Sequence, residues 1–317
     1  AFIMVSEESK KSRIIELDFL RSIAIILMVM FHLVYFADRH LLLKQFVYTF
    51  HMPIFLLISG YLCNTQKTTK DYLKSLAFLL LPYIIMESGY TIMAALLPIR
   101  EHIDNLTIEV FLNKVFLHPI GPYWFIHTLI LLQIIILISS RLAKSQTIEF
   151  ISILIILSLV LSHPKNAILS FNNAVYFIVG AIIKITKINI LKPFTINPLP
   201  IILLTILCIN PDYFNRGTFA GFIIVWLVIA SLLFIYNHIK VPHLIIYIGR
   251  NTLPILLFSP IFTLLVKQLI PFFSFDPTAI IFMIVATTIV IAGSLAIAFI
   301  MDYTHISRLF AGKKLLV

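Results

Sequence analysis

The stretch IIELDFLRSIAIILMVMFHLVYF, residues 14–36, decides how the rest of the chain is read. Built as an α-helix it is roughly 35 Å long, enough to cross a hydrocarbon core of about 30 Å. Almost every side chain is large and apolar, yet the run contains Glu16, Asp18, Arg21 and His32. Glu16 and Asp18 fall at its entrance, where water reaches them. Arg21 lies about two turns in, where a charge costs roughly 2.5–3.5 kcal/mol, so it is expected to face a bundle interior or a wet cavity. Arg21 and His32 are 11 positions apart. At 100° per residue they share one stripe to within roughly 20°, separated by about 16 Å along the axis.

Apolar runs of the same kind recur along the chain. Ten candidate spans lie near 14–36, 46–63, 74–97, 122–140, 148–162, 168–184, 197–210, 218–237, 243–267 and 279–303. The runs do not alternate apolar and polar residues, which excludes β-barrel strands. The expected fold is therefore all-α: one polytopic transmembrane helix bundle over residues 1–317. Hydrophobic residues make up 60% of the 317 positions and charged residues 12%. A soluble domain carries about twice that charge, so soluble enzymes and disordered chains are excluded. Several runs are short for a full span, which implies tilt or local thinning of the bilayer.

The net charge of +10 would suggest nucleic acid in a soluble protein. Here it has a plainer reading, because Lys and Arg collect in cytoplasmic loops. With residues 1–13 placed in the cytoplasm, most basic residues fall inside, including Lys10, Lys11, Arg13, Lys70, Lys74, Lys144, Arg250, Arg308 and Lys313. An even number of spans returns the basic tail, residues 304–317, to the same side. No cleavable signal is visible, and Ala1–Ile3 precede a Met4 suited to be a native start. Cys63 and Cys208 fall near opposite faces and give no disulfide framework. No His/Cys spacing suggests a metal.

Further polar residues sit at depth. FHMPIFLLISGYL, residues 50–62, brings in His51, a helix-bending Pro53, and Ser59 with Gly60, small enough for close helix approach. Glu87 lies deep in LPYIIMESGY, residues 81–90, and needs a partner or a proton, for which His32 and His51 are candidates. GPYWFIHTL, residues 121–129, carries Trp124 and, one turn deeper, His127. Asn173 enters its helix from the same side. By depth, His32, His51, Glu87, His127 and Asn173 can converge in the outer half. Arg21 and the loop lysines Lys70 and Lys74 mark an inner half suited to phosphates. That polarity fits two-sided transfer: an acyl-CoA held below, an acceptor hydroxyl above, and His32 as general base or transient acyl carrier.

At this point the chain resembles the acyltransferase 3 family of integral-membrane acyltransferases. The matching pieces are LDFLRSIAIILMVMFH (17–32), with its Arg-x10-His pattern, FHMPIFLLISGYL (50–62), LPY (81–83), YWF (123–125), YFIVGAIIK (176–184) and IGRNTLPILLFSPI (248–261). The resemblance implies O-acylation, commonly O-acetylation, of a cell-envelope carbohydrate or glycolipid at a bacterial inner membrane. Acetyl-CoA would be a co-substrate, with no permanently bound cofactor. Arg21 and His32 match the family's important pair. His32 and Glu87 are then the catalytic candidates, and Arg21, Lys70 and Lys74 the donor-binding ones. His51, Ser59, Trp124, His127 and Asn173 are candidates for binding the acceptor or supporting the catalytic groups. Membrane lipid is an expected partner, nucleic acid is not, and association into a homo-oligomer is left open. The chain departs from the family at Ser259, where a His is common, at Lys70 and Lys74, where Arg is common, and at His127, where some members have an acidic residue. Read without the resemblance, the same buried Glu and His residues also suit a proton-coupled secondary transporter.

Overall fold

The computed structural model describes residues 13–97, 101–143, 147–165, 167–194, 197–310 and 314–317. Lys10, Lys11, Lys144 and Lys313, counted above for charge, lie outside these, as do Ala1–Met4. Among the described residues every regular element is helical. In chain order these are α1 (Ile15–His32), α2 (Val34–Ala37), α3 (Leu41–Leu62), α4 (Thr69–Leu96), α5 (Ile108–Phe116), α6 (Trp124–Leu142), α7 (Thr147–Leu161), α8 (Phe171–Ile185), α9 (Leu199–Leu207), α10 (Phe219–His238), α11 (His243–Arg250), α12 (Thr252–Leu265) and α13 (Ile280–Tyr303). By length and composition, six stretches among the described residues can cross a membrane: 41–62, 69–96, 108–142, 219–238, 252–273 and 280–303. α7 and α8 are shorter apolar helices. The outside of the bundle displays large apolar side chains such as Ile85, Ile156, Ile284 and Phe299. In water such a surface would aggregate; against lipid it is the expected face.

Two expected spans and one connecting segment differ in detail. The run 243–267 is not one helix. It breaks at Asn251, whose amide nitrogen donates to the Tyr247 carbonyl (2.9 Å) and whose backbone is neither helical nor extended. The run 14–36 ends its main helix at His32, because Leu33 turns extended and bonds back to the Met30 carbonyl. The segment 101–121 holds α5, capped by the Thr107 hydroxyl, which accepts from the Val110 N–H (3.2 Å).

α1 sits centrally, packed by α3, α10, α11, α12 and α13. The closest seam is between α3 and α8. A Cβ added at Gly60 would collide with the carbonyl of Phe177, and one at Gly180 with the carbonyl of Leu57. The two helices therefore touch backbone to backbone, with a glycine from each at the crossing. This bears out the reading of Gly60 as a packing residue. It also fixes α3, and with it His51, relative to the rest of the bundle.

Candidate active site

α1 runs from an arginine end to a histidine end, and α3 runs back. At the arginine end the organising residue is Asp18. It is 2% exposed, not wet as its place at the helix entrance suggests. Arg13 grips it in a bidentate pair, with Nε donating to Oδ2 at 2.6 Å and Nη2 to Oδ1 at 3.0 Å. Arg250 Nε donates to Oδ2 at 3.4 Å, and Arg21 Nη1 lies 3.9 Å from Oδ1. Three guanidiniums thus share one carboxylate, and the group keeps a surplus of positive charge. The arginines are 42%, 22% and 38% exposed in chain order, so the surplus faces an accessible rim. The break at Asn251 makes this possible: α11 lies against the start of α1 so closely that a Cβ on Gly249 would strike the Asp18 carbonyl. Lys70 and Lys74 are exposed on the first turns of α4, and Lys74 pairs with Asp71 at 3.9 Å. Chain direction puts them at the same end as Arg21, but they do not join the Asp18 group.

At the opposite end, His32 Nδ1 lies 2.6 Å from the Met28 carbonyl. A carbonyl only accepts, so Nδ1 carries the hydrogen and Nε2 of the neutral ring keeps its lone pair. His51 is held the same way on the Val47 carbonyl, 2.8 Å from Nδ1. Both imidazoles flank Tyr48, with ring centroids 6.0 Å from His32 and 5.2 Å from His51. The Tyr48 hydroxyl donates to the Phe31 carbonyl at 3.2 Å. His32 is exposed whereas His51 is buried. The end of α1 therefore presents one exposed imidazole backed by a tyrosine and a second, fixed histidine.

The remaining candidates divide. Glu87 is buried and does not pair with either histidine. Its Oε1 accepts from the Ile120 N–H at 2.8 Å, and its Oε2 has no hydrogen-bond partner among the described residues. Beside it Glu101 accepts from the Gly121 N–H at 2.5 Å, and Gly121 has φ +67°, in the left-handed region open to glycine. Two carboxylates thus pin the turn that launches α6. His127 Nε2 donates to the Phe116 carbonyl at 2.9 Å. With Trp124, His118 and Ser162 it lines a cleft of about 570 Å³. Asn173 is buried with Oδ1 unpartnered. Ser59 stands beside Gly60 in the α3–α8 seam, about two turns nearer the arginine end than His51. The histidine end thus collects His32 and His51, while Glu87 and His127 belong to the α4–α5–α6 side.

Sequence reasoning did not single out Arg13, Asp18 and Arg250 as one group, nor Tyr48, Lys44 and Arg216 at the other end. The local spacing of Arg13, Asp18 and Arg21 carried part of the first signal. The Arg250 contact joins positions 232 apart and leaves no local trace. Arg216 lies in the loop before α10, its guanidinium carbon 5.3 Å from the Trp124 ring centre. Burial pulls it below the ordinary arginine range.

A family model for an acyltransferase domain matches residues 14–302, nearly the whole chain. No curated protein and no solved structure gives a significant match.

Proposed function

This chain belongs to the acyltransferase 3 family, and on that premise we propose that it moves an acyl group, most often acetyl, from acyl-CoA to a hydroxyl of a cell-envelope carbohydrate or glycolipid. The reading places ten crossings in a bacterial inner membrane, with both chain ends in the cytoplasm, so the arginine end meets cytoplasmic donor. The observation that carries it is the α1 helix itself: a guanidinium tied to Asp18 at one end, and about 16 Å away an imidazole whose free nitrogen is set by its Met28 bond.

The surplus charge of the Asp18 group suits the phosphates of the donor, with Arg21, Arg13 and Arg250 as ligands and Lys70 and Lys74 as outlying attraction. The pantetheine arm would then extend along the α1 stripe toward His32. His32 Nε2 takes the proton of the acceptor hydroxyl as its oxygen attacks the thioester carbonyl. The C–S bond breaks, the ester forms, and the proton passes to the departing thiolate, so CoA leaves as the thiol. His51 and Tyr48 keep the base in place. Glu87, through Ile120, holds the turn that positions Trp124.

His32→Ala should lower transfer of labelled acetyl from acetyl-CoA by roughly 10²–10⁴-fold while leaving thermal unfolding in detergent near wild type. Arg21→Ala should instead raise the KM for donor. Undiminished transfer by His32→Ala would remove the base from the mechanism. Solute uptake into proteoliposomes without acyl-CoA would select the transporter reading.

A further inference from the structure

Outside His32 and His51 lies an open cleft of about 520 Å³, lined among others by Lys44, Gln45, Tyr48, Thr49, Phe214 and Arg216. Tyr48, whose ring neighbours both imidazoles, forms one wall, and the loop before α10 forms the other. Lys44 is within electrostatic range of His32, and Arg216 within range of His51. The two cations are not equivalent. Lys44 is committed to Asp38, 3.0 Å away. Arg216 has no carboxylate within ion-pair distance among the described residues; Asp212, close by in sequence, does not reach it. Its guanidinium rests over Trp124, half-buried, and among the described residues the ring's π face is its only side-chain partner.

This loop is built rather than loose. Tyr176 donates to the Arg216 carbonyl at 2.7 Å, the Asn215 side chain accepts from the Gly217 N–H at 2.9 Å, and the Thr218 hydroxyl donates to the Asn215 carbonyl at 2.8 Å. Gly221 packs so tightly that a Cβ would strike the Asn215 carbonyl. A fixed, half-desolvated guanidinium without a counter-ion is costly unless something anionic completes it. The aromatic walls of Tyr48 and Phe214 and the Gln45 amide leave room for a sugar ring beside it.

We propose that the acceptor is an acidic glycan, whose carboxylate or phosphate is bound by Arg216, with Lys44 assisting, while a neighbouring hydroxyl is presented to His32. This deepens the acyl-transfer reading and rests on it only for the last clause. Binding and transfer can therefore be separated.

The experiment uses the full chain in detergent and three probes: a glucuronic acid–N-acetylglucosamine disaccharide, the same disaccharide with its carboxyl reduced to an alcohol, and its phosphorylated counterpart. Equilibrium binding and acetyl transfer from acetyl-CoA are both measured. The expected result is at least about tenfold tighter binding of a charged probe than of the reduced one, the scale of one charge-assisted contact, weakening with added salt. The carboxylate and phosphate arms tell the two anion types apart. Arg216→Gln should erase the preference. Lys44→Gln, at a half-buried side chain that takes no part in the Trp124 contact, should reduce it. Equal binding of charged and reduced probes, binding of neither, or a preference that survives in Arg216→Gln would overturn the proposal. Charge-selective binding with no transfer would leave it standing and overturn the acyl-transfer reading instead. Transfer with no charge preference would overturn the proposal alone.

Discussion

Glu87 illustrates how a buried charge acquires its meaning only from its contacts. By sequence it is a candidate acid or base; in the fold it accepts the Ile120 N–H and stands beside a second carboxylate on Gly121. A glutamine can accept the same bond. Glu87→Gln should therefore keep at least half of wild-type transfer, whereas Glu87→Ala, which leaves the Ile120 N–H buried and unpaired, should cost about 1–3 kcal/mol of stability. A hundredfold loss in Glu87→Gln would restore it to proton transfer. Asp276 offers a second test at this scale, in the loop ahead of α13. The Thr278 hydroxyl donates to its Oδ1 at 2.5 Å and the Ile281 N–H to its Oδ2 at 2.8 Å, and the first of these does most to hold its carboxyl below the ordinary 3.8. A depressed folded-state pKa stabilises the fold above the unfolded value, and that stability is lost as pH falls through the folded one. The melting-temperature gap between wild type and Asp276→Asn should be constant from pH 7 to 5 and close below about pH 4. A gap that widens with acid would reverse the assignment.

Helices were the most legible elements, because each apolar run had to be satisfied internally in lipid. Their interruptions were not. The polar stretch at 249–252 dips in hydropathy but does not by itself announce two helices; the break depends on the Asn251 side chain, which also accepts the Val317 N–H from the far end of the chain. The Arg21–His32 stripe could be read because both residues ride one helix. The Asp18 group could not, since Arg250 arrives by tertiary packing over Gly249. Gly60 was readable as a packing residue, but its partner Gly180 was not. Gly60→Ala or Gly180→Ala should each overpack the seam and lower stability by about 1–3 kcal/mol or more, read as reduced yield of monodisperse protein and a lower melting temperature. The neighbouring Ser59→Ala, half-buried and without such a collision, should cost far less. Similar losses at all three positions would mean that the close approach is not what holds α3 to α8.

Across the whole molecule, what divides function is distance along α1. The proposed donor ligands and the proposed base occupy opposite ends, which is why composition and charge placement pointed to transfer across two compartments before any contact was known. This arrangement can be tested without activity. In a chain with Cys63 and Cys208 changed to serine, a cysteine at Lys74 and one at Lys44 should be labelled by a membrane-impermeant reagent from opposite sides of sealed vesicles. Labelling of both from one side would break the alignment of α1, α3 and α4 on which the mechanism depends.

The glycine crossing of α3 and α8 has a consequence for how such an enzyme could breathe. On the proposed reading, a catalyst that takes its donor from one compartment and its acceptor from the other must not become a leak between them. Backbone pressed on backbone leaves no slack for sliding, so this pair behaves as a stator against which His51 is clamped. Any widening that lets substrates in is then left to contacts without such a backbone crossing, those of α12 and α13 with α1 among them.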